Sequence, residues 1–181
     1  MKKVILSTAF VILASYSWAQ VDTIRSKEHA KNVAPIVTDR APKAVYLLLG
    51  GSGPEFSVNY DSRFLKRANG PGFAIGLGYM HISSSLISPA VSIFSIPASV
   101  NYLVGRKSHF LEIAGGATYI TGTVTDFLGA SSSGSGFFYH LSAGYRYQPA
   151  EGGFFFRGGI SPLFIGGFNI VWYYLGFGHN F

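Results

Sequence analysis

The chain contains no cysteine in 181 residues. Disulfides, thiolate nucleophiles and Cys-ligated metals are therefore excluded, and so is a lipid anchor on a modified cysteine. Charge is scarce as well. Asp, Glu, Lys and Arg make up 12% of the residues, about half the roughly 25% usual for a soluble domain. The scarcity is uneven. Residues 20–43 hold five basic and three acidic side chains. The residues from 44 onward hold Arg63, Lys66, Arg67, Arg106, Lys107, Arg146 and Arg157 against Glu55, Asp61, Glu112, Asp126 and Glu151. A surface this poor in charge faces something other than water over much of its area.

Other absences exclude whole chemistries. His81, His109, His140 and His179 lie in different segments, with no acidic companion at ligand spacing, so no metal is expected. Gly50-Gly51-Ser52-Gly53 lacks the Lys-Ser/Thr of a phosphate loop and reads as a turn. No other motif calls for a cofactor. The net charge of +6 overstates any attraction to nucleic acid. Removing Lys2 and Lys3 from the 14 basic residues leaves 12 against 8 acids, or +4, and Arg157-Gly158-Gly159 is a single match rather than an RNA-binding tract. Two stretches, Ala68–Gly105 and Gly158–Gly178, carry no charge apart from neutral His81 and are long enough for a helical span. Both are dense in Gly, Ser, Pro and aromatics, and their hydrophobic period is two rather than 3.6, which argues against helices.

What is present sorts into three regions. Met1-Lys2-Lys3, the apolar Val4–Tyr16 and the small-x-small Ser17-Trp18-Ala19 read as a secretory signal peptide over 1–19, cleaved before Gln20. Residues 20–43 are polar, without a clear period and broken by Pro35 and Pro42, and read as a flexible leader with a short helical stretch near Ser26–Asn32. From 44 to 181 the chain is aromatic, Gly-rich and alternating. Eight segments stand out, near 44–51, 55–64, 72–82, 91–104, 109–120, 136–148, 153–162 and 169–181. In Phe137–Tyr147 the odd positions are Phe, Tyr, Leu, Ala, Tyr and Tyr, while the even ones are Phe, His, Ser, Gly and Arg. In Phe73–Tyr79 large apolar residues alternate with Ala and Gly. The links 65–71, 105–108 and 149–152 have compact turn chemistry with charge. The links 83–90 and 121–135 look longer and Ser/Gly-rich, with Ser131–Gly136 a mobile loop tip by composition.

The last segment is the most telling. Counting back in twos from Phe181 gives His179, Phe177, Leu175, Tyr173 and Val171, a nearly apolar face, opposite Asn180, Gly178, Gly176, Tyr174 and Trp172. Strands with one greasy face and one small or polar face suit a membrane barrel. The expected fold is all-β, an eight-stranded antiparallel up-and-down transmembrane β-barrel closed first-to-last, in the outer membrane after export. Tyr46-Leu-Leu-Leu-Gly-Gly, Gly76-Leu-Gly-Tyr, Gly144-Tyr-Arg-Tyr, Gly153-Phe-Phe-Phe-Arg-Gly-Gly and Phe181 resemble the small outer-membrane β-barrel family of Gram-negative bacteria, of the OmpA/OmpX-type. That resemblance implies outer-membrane lipid as surroundings. It also implies recognition of Tyr173, Leu175, Phe177 and Phe181 by the barrel-assembly machinery, with His179 departing from the usual pattern.

Alternation turns five charges inward: Asp61, Arg63, Glu112, Arg146 and Arg157. An eight-stranded barrel is barely wide enough to be filled by side chains, so these charges are expected to pair in one cluster near the short-turn end. Tyr60, Phe73, Ile75, Leu77, Leu111, Ile113, Leu141, Tyr145, Leu175 and Phe177 are expected to point out, with Tyr79, Tyr102, Tyr119, Tyr145, Tyr147, Trp172 and Tyr173 as interfacial girdles. The leading functional expectation is a non-enzymatic structural or surface-interaction protein whose lumen is filled, with no surface ligand identifiable. A narrow channel past the Arg cluster is one alternative. A lipid-modifying hydrolase is another: His140 and Ser142 share a face, Glu112 is a candidate orienting carboxylate, and His-x-Ser resembles the lipid A deacylases. A soluble lipocalin-like barrel is a fourth possibility, and it would reverse the faces.

Overall fold

The computed structural model describes residues 40–53, 55–83, 89–126 and 128–181. The expected signal peptide and nearly all of the leader lie outside the described residues. Eight strands follow: β1 (Lys43–Gly50), β2 (Phe56–Arg63), β3 (Gly70–Ile82), β4 (Ala90–Arg106), β5 (His109–Thr125), β6 (Ser131–Tyr147), β7 (Gly153–Ile165) and β8 (Phe168–Asn180). Each pairs antiparallel with its sequence neighbour, and β1 pairs β8 to close the barrel. Tyr46 meets Gly178 and Leu48 meets Gly176 across that seam. Among the described residues no helix is long and apolar enough to cross a membrane.

The two faces alternate along every strand of the body. On β1, Ala44, Tyr46 and Leu48 are buried while Val45, Leu47 and Leu49 are exposed. On β3, Gly72, Ala74, Gly76 and Gly78 face inward, behind the outward row Phe73, Ile75, Leu77 and Tyr79. The small inward residues are a steric requirement: a Cβ at Gly72 would overlap the Arg63 guanidinium, and one at Gly76 the Asn59 amide. Of the ten residues expected to point out, eight are exposed. Tyr60 and Phe73 are half-buried because their rings pack on each other outside the barrel, 6.3 Å between centroids. The faces are those of a membrane-spanning barrel and not of a soluble one.

Two expectations need correction. Residues 121–135, read as a long loop, are mostly hairpin: β5 runs to Thr125 and β6 starts at Ser131. Thr121, Thr123 and Thr125 sit opposite Ser135, Ser133 and Ser131. Thr123 and Ser133 join through their hydroxyls at 2.9 Å, and Thr125 and Ser131 at 3.0 Å. A Ser/Gly run has low strand propensity alone, and the β-branched threonines opposite supply the missing order. The loop-length asymmetry is also not seen where it can be compared, most of the other expected long link, 83–90, lying outside the described residues. The 126–130 turn matches 148–152 in length, and β7–β8 turn through only Gly166 and Gly167, whose φ values of 53° and 92° suit a tight hairpin. The asymmetry lies in the strands, since β4, β5 and β6 are about twice as long as β1 and β2.

Two prolines interrupt the ladders. Pro97 lacks an N–H, and β3–β4 pairing skips from Ile75↔Ala98 to Gly78↔Ser95. Pro162 acts likewise on β6–β7, where the Ser161 hydroxyl donates to the Leu141 carbonyl at 2.9 Å in compensation.

Candidate functional site

The charged residues of the lumen form one connected network. Asp61 and Arg63 lie two apart on β2 and share its inward face. Their guanidinium–carboxylate bond is 2.7 Å, Arg63 Nη2 to Asp61 Oδ1. On β6, Arg146 reaches both acids. Its Nε and Nη2 donate to Glu112 at 2.9 and 2.6 Å in a fork, and Nη2 also lies 2.9 Å from Asp61 Oδ2. Arg157 on β7 sits directly opposite Arg146 in the sheet register. Two guanidinium groups side by side repel. Both turn to Glu112, with which Arg157 forms an ion pair, Nη2 to Oε1 at 3.2 Å.

Neutral groups complete the cluster. Asn101 on β4 donates to Asp61 Oδ2 at 2.7 Å and accepts from Arg63. The Gly70 carbonyl of β3 takes Arg63 Nη1 at 3.3 Å, and Gln148 takes Arg146 Nη1 at 3.3 Å. Arg157 Nη1 donates to the Tyr46 hydroxyl at 2.7 Å, and its guanidinium lies 5.3 Å from the Tyr46 ring centre and 4.9 Å from that of Tyr174. Arg146 rests 5.1 Å from the Phe155 ring, which stacks on Tyr46 at 4.8 Å. Every strand of the barrel thus contributes a group. The Asp61, Arg63, Glu112 and Arg146 side chains have no exposed area, and that of Arg157 only 7%. Charge-assisted and forked bonds are strong in such surroundings, and a half-broken set would be costly.

Sequence reasoning placed the five charges but not the groups that finish the plug. Tyr46, Asn101, Phe155 and Tyr174 sit on the inward phase of their strands, and Gln148, the first residue past β6, continues that strand's inward phase. Phase was the available signal. Counting back by two from Arg157 lands on Phe155, and counting on from Ala44 lands on Tyr46. Aromatic identity pointed the other way, to the lipid face.

Above the plug the lumen narrows to a cavity of about 10 Å³ whose lining includes Asn59, His140, Ser142, Arg157 and Tyr174, roughly the room one water needs. The β1–β2 turn lies over it, with Thr118 Oγ1 donating to the Ser52 carbonyl at 2.7 Å. His140 and Ser142 both face this cavity, but they do not form a catalytic relay with Glu112. His140 Nδ1 lies 3.5 Å from Thr118 Oγ1, and both Glu112 oxygens are taken by arginines. Among the described residues no hydrogen bond joins His140 to Ser142. A nucleophile needs such a base within reach, and a lipid-cutting site must open toward the membrane, whereas this pair faces away from it. The described residues also hold no cluster of three His, Asp or Glu able to bind a metal.

On β8, Tyr173, Leu175 and Phe177 are exposed on the outer face, as is Phe181 just beyond its end. The backbone of Phe181 exchanges hydrogen bonds with Lys43 at 2.9 and 3.0 Å, which continues the seam to the last residue. His179 stacks on Phe181, 6.5 Å between centroids, and keeps that face aromatic.

No protein-family model and no curated protein matches the sequence. Solved structures do match. The N-terminal β-barrel domain of Pseudomonas aeruginosa OprF superposes with a TM-score of 0.56 at 13% identity, covering 80% of this chain and 98% of that one. Ail, the attachment invasion locus protein of Yersinia pestis, gives 0.49 at 16% identity over 78% and 97% of the two chains. Neisserial surface protein A gives 0.46 at 16% over 77% and 92%. At these identities the likeness is one of fold: the chain has the architecture of the small eight-stranded outer-membrane barrels.

Proposed function

We propose that this is an outer-membrane barrel that neither conducts nor catalyses, and that acts through the surface its long strands carry beyond the membrane. The observation that carries the reading is the lumen network. Five buried charges, drawn from β2, β5, β6 and β7, fill the cross-section of a barrel already too narrow for a water column. A solute crossing it would have to break several charge-assisted bonds at once. The turns rich in Lys and Arg, Lys66-Arg67 and Arg106-Lys107, lie at the same end as Lys43 and Phe181, and this end faces the periplasm in the proposal. The 126–130 turn and the extended hairpins then lie outside the cell. The apolar outer face of β8 is the surface the assembly machinery would read.

Planar bilayers test this directly. The purified full chain is expected to give no discrete openings in symmetrical KCl, while Glu112→Ala or Arg157→Ala loosens the plug and raises the baseline leak. Steady single-channel conductance in the wild type would replace this reading with the channel.

A further inference from the structure

β3, β4, β5 and β6 run on past the last β6–β7 pair, Tyr139↔Phe164, as a sheet that projects beyond the barrel. Nearer the opposite end, the outer wall made by the same four strands is dented. The outward row Phe73–Val100–Gly115–Leu141 crosses all four, and the adjoining rows place Ala98 opposite Ala117 and Ala143 opposite Ile113. With no side chain at Gly115, a groove of about 400 Å³ opens between Phe64 and Leu141. Phe64, just past β2, stacks on Phe73 at 5.8 Å between centroids and raises that side.

Below the groove the outward phase of β4 continues through Tyr102 and Val104 to Arg106, all exposed. From Val100 to Arg106 the strand rises roughly 20 Å. A tilt of about 35–45° turns this into about 15 Å of depth, half of a hydrocarbon core about 30 Å thick. The groove therefore lies near the mid-plane when Arg106 lies at the level of the phosphates. Arg106 has company there. Lys66 and Lys107 are exposed and Arg67 is half-buried, and among the described residues none of the four forms an ion pair. Ala68 of the β2–β3 turn packs with Leu103 of β4 and Phe110 of β5, which draws the two basic turns together. The turn from β6 to β7, residues 148–152, carries Glu151 and no cation. This rim is positive on one side, and that side is the dented one.

Resting on the orientation given above, in which this rim faces the periplasm, we propose that the wall holds one anionic glycerophospholipid of the inner leaflet. Its phosphate sits among Lys66, Arg106 and Lys107. One acyl chain runs up past Tyr102 and lies over Gly115. Cations beside a membrane surface attract anionic headgroups, and this attraction supplies the choice of lipid. Inside hydrocarbon no hydrophobic gain remains, so the groove acts by close packing and fixes where that lipid stays. A second copy of the barrel fits this wall poorly. Rotation about the membrane normal would bring the cations of both rims to the same depth and face them toward each other.

The test uses the full-length chain in phosphatidylcholine vesicles with a trace of phosphatidylglycerol or phosphatidylcholine bearing a diazirine near the end of one acyl chain. After illumination, the labelled residues are mapped by peptide mass spectrometry. Phosphatidylglycerol is expected to label the groove at least about fivefold more than phosphatidylcholine does, and the β7–β8 wall equally. Raising NaCl should shrink the preference. Lys66→Gln, Arg106→Gln and Lys107→Gln together should abolish it. Gly115→Leu should lower groove labelling to that of the β7–β8 wall while preserving heat-modifiable gel mobility. Its Cβ would lie 3.1 Å from Leu141 Cδ2, a flexible end that can turn aside into lipid. Val100→Trp fills the groove from β4 and should act alike. Equal labelling of the groove by the two lipids overturns the proposal, and so does a preference spread over both walls or one that survives the triple variant. Disulfide-linked dimers of Gly115→Cys at high lipid-to-protein ratio also overturn it, in favour of a second copy. A Ser108→Cys thiol that reacts with an impermeant maleimide on intact cells would sink the orientation and leave the vesicle results unaffected, so the two failures are distinguishable.

Discussion

The body of the barrel and the sheet that projects from it share strands, register and period, yet the meaning of their faces is opposite. On β6 the outward phase reads Leu141, Tyr139 and Phe137 in the body and then Ser135, Ser133 and Ser131 in the projection. The inward phase does the reverse on β5, passing from Glu112 and Thr118 to Ile120 and Val124. The outer row His81–Ser92–Thr123–Ser133 crosses four strands without one large apolar residue, and His81 Nδ1 lies 2.9 Å from Ser92 Oγ. The change marks where lipid ends and water begins. Below it, hydrocarbon demands apolar groups outside, and the closed lumen demands paired charges inside. Above it, water lies outside and no opposite wall remains to pair with. Alternation fixes which residues share a face. Only the medium on each side fixes which face is greasy.

If the body depends on its network and the projection does not, the largest effect belongs to Glu112→Ala. The variant leaves Arg146 and Arg157 facing each other across β6–β7 with their shared carboxylate gone. Removing one partner of a buried set costs about 3–5 kcal/mol. The expected result is a large drop in the urea midpoint in detergent micelles and loss of the folded gel band at a lower temperature. An unchanged midpoint would mean that the network does not hold the body together.

A smaller contrast concerns the outward phase of a single strand. Leu141 lies mid-wall, opposite Gly115 and between Phe137 and Tyr145. Leu141→Arg puts a guanidinium into hydrocarbon and is expected to cost about 2–4 kcal/mol. Ser133→Arg has the same phase on the same strand but sits in water, and is expected to change stability by less than about 0.5 kcal/mol. Measured by urea titration in lipid vesicles, equal effects at the two positions would erase the boundary placed between them.

How much of this was legible depended on which rule the residues obeyed. The strand count and the first-to-last closure followed from phase, because period-two runs such as Phe73–Tyr79 are unambiguous once helices are excluded. The five charges followed from phase plus the narrowness of the lumen. The reach of β5 and β6 did not, since Ser131–Gly136 has the composition of a loop and becomes strand only through Thr121, Thr123 and Thr125 opposite, a pairing no local window contains. Asp126 then closes the tip, its Oδ1 accepting from the Leu128 and Ala130 amides at 2.9 and 2.8 Å. Tyr46, Phe155 and Tyr174 were hidden for a different reason. An aromatic on a membrane barrel reads as lipid-facing until a buried guanidinium needs its ring. His140 and Ser142 show the converse: two residues on one face at suggestive spacing, whose candidate carboxylate is held by two arginines.

The smallest contrast uses the inward phase of the same strand, through glycine. Gly144 and Gly134 are both on β6, both turned inward, and both paired with β5, to Glu112 and Gly122. Their surroundings differ. A Cβ on Gly144 would overlap the Gly158 carbonyl and lie 2.5 Å from the Tyr174 hydroxyl, so backbone of β7 as well as a side chain would have to move. Tyr174 packs against Arg157, so the displacement carries into the plug. Overpacking of that kind costs about 1–3 kcal/mol. Gly134 has open space in the same direction, and alanine there also relieves the entropy that glycine loses on folding into a strand. Gly134→Ala is therefore expected to be neutral or slightly stabilising, within about 0.5 kcal/mol, while Gly144→Ala lowers the urea midpoint clearly. Equal midpoints for the two variants would mean that the lumen at Gly144 yields as freely as the open space at Gly134 does, and the distinction between a packed body and an unfilled projection would fail at the level of single atoms.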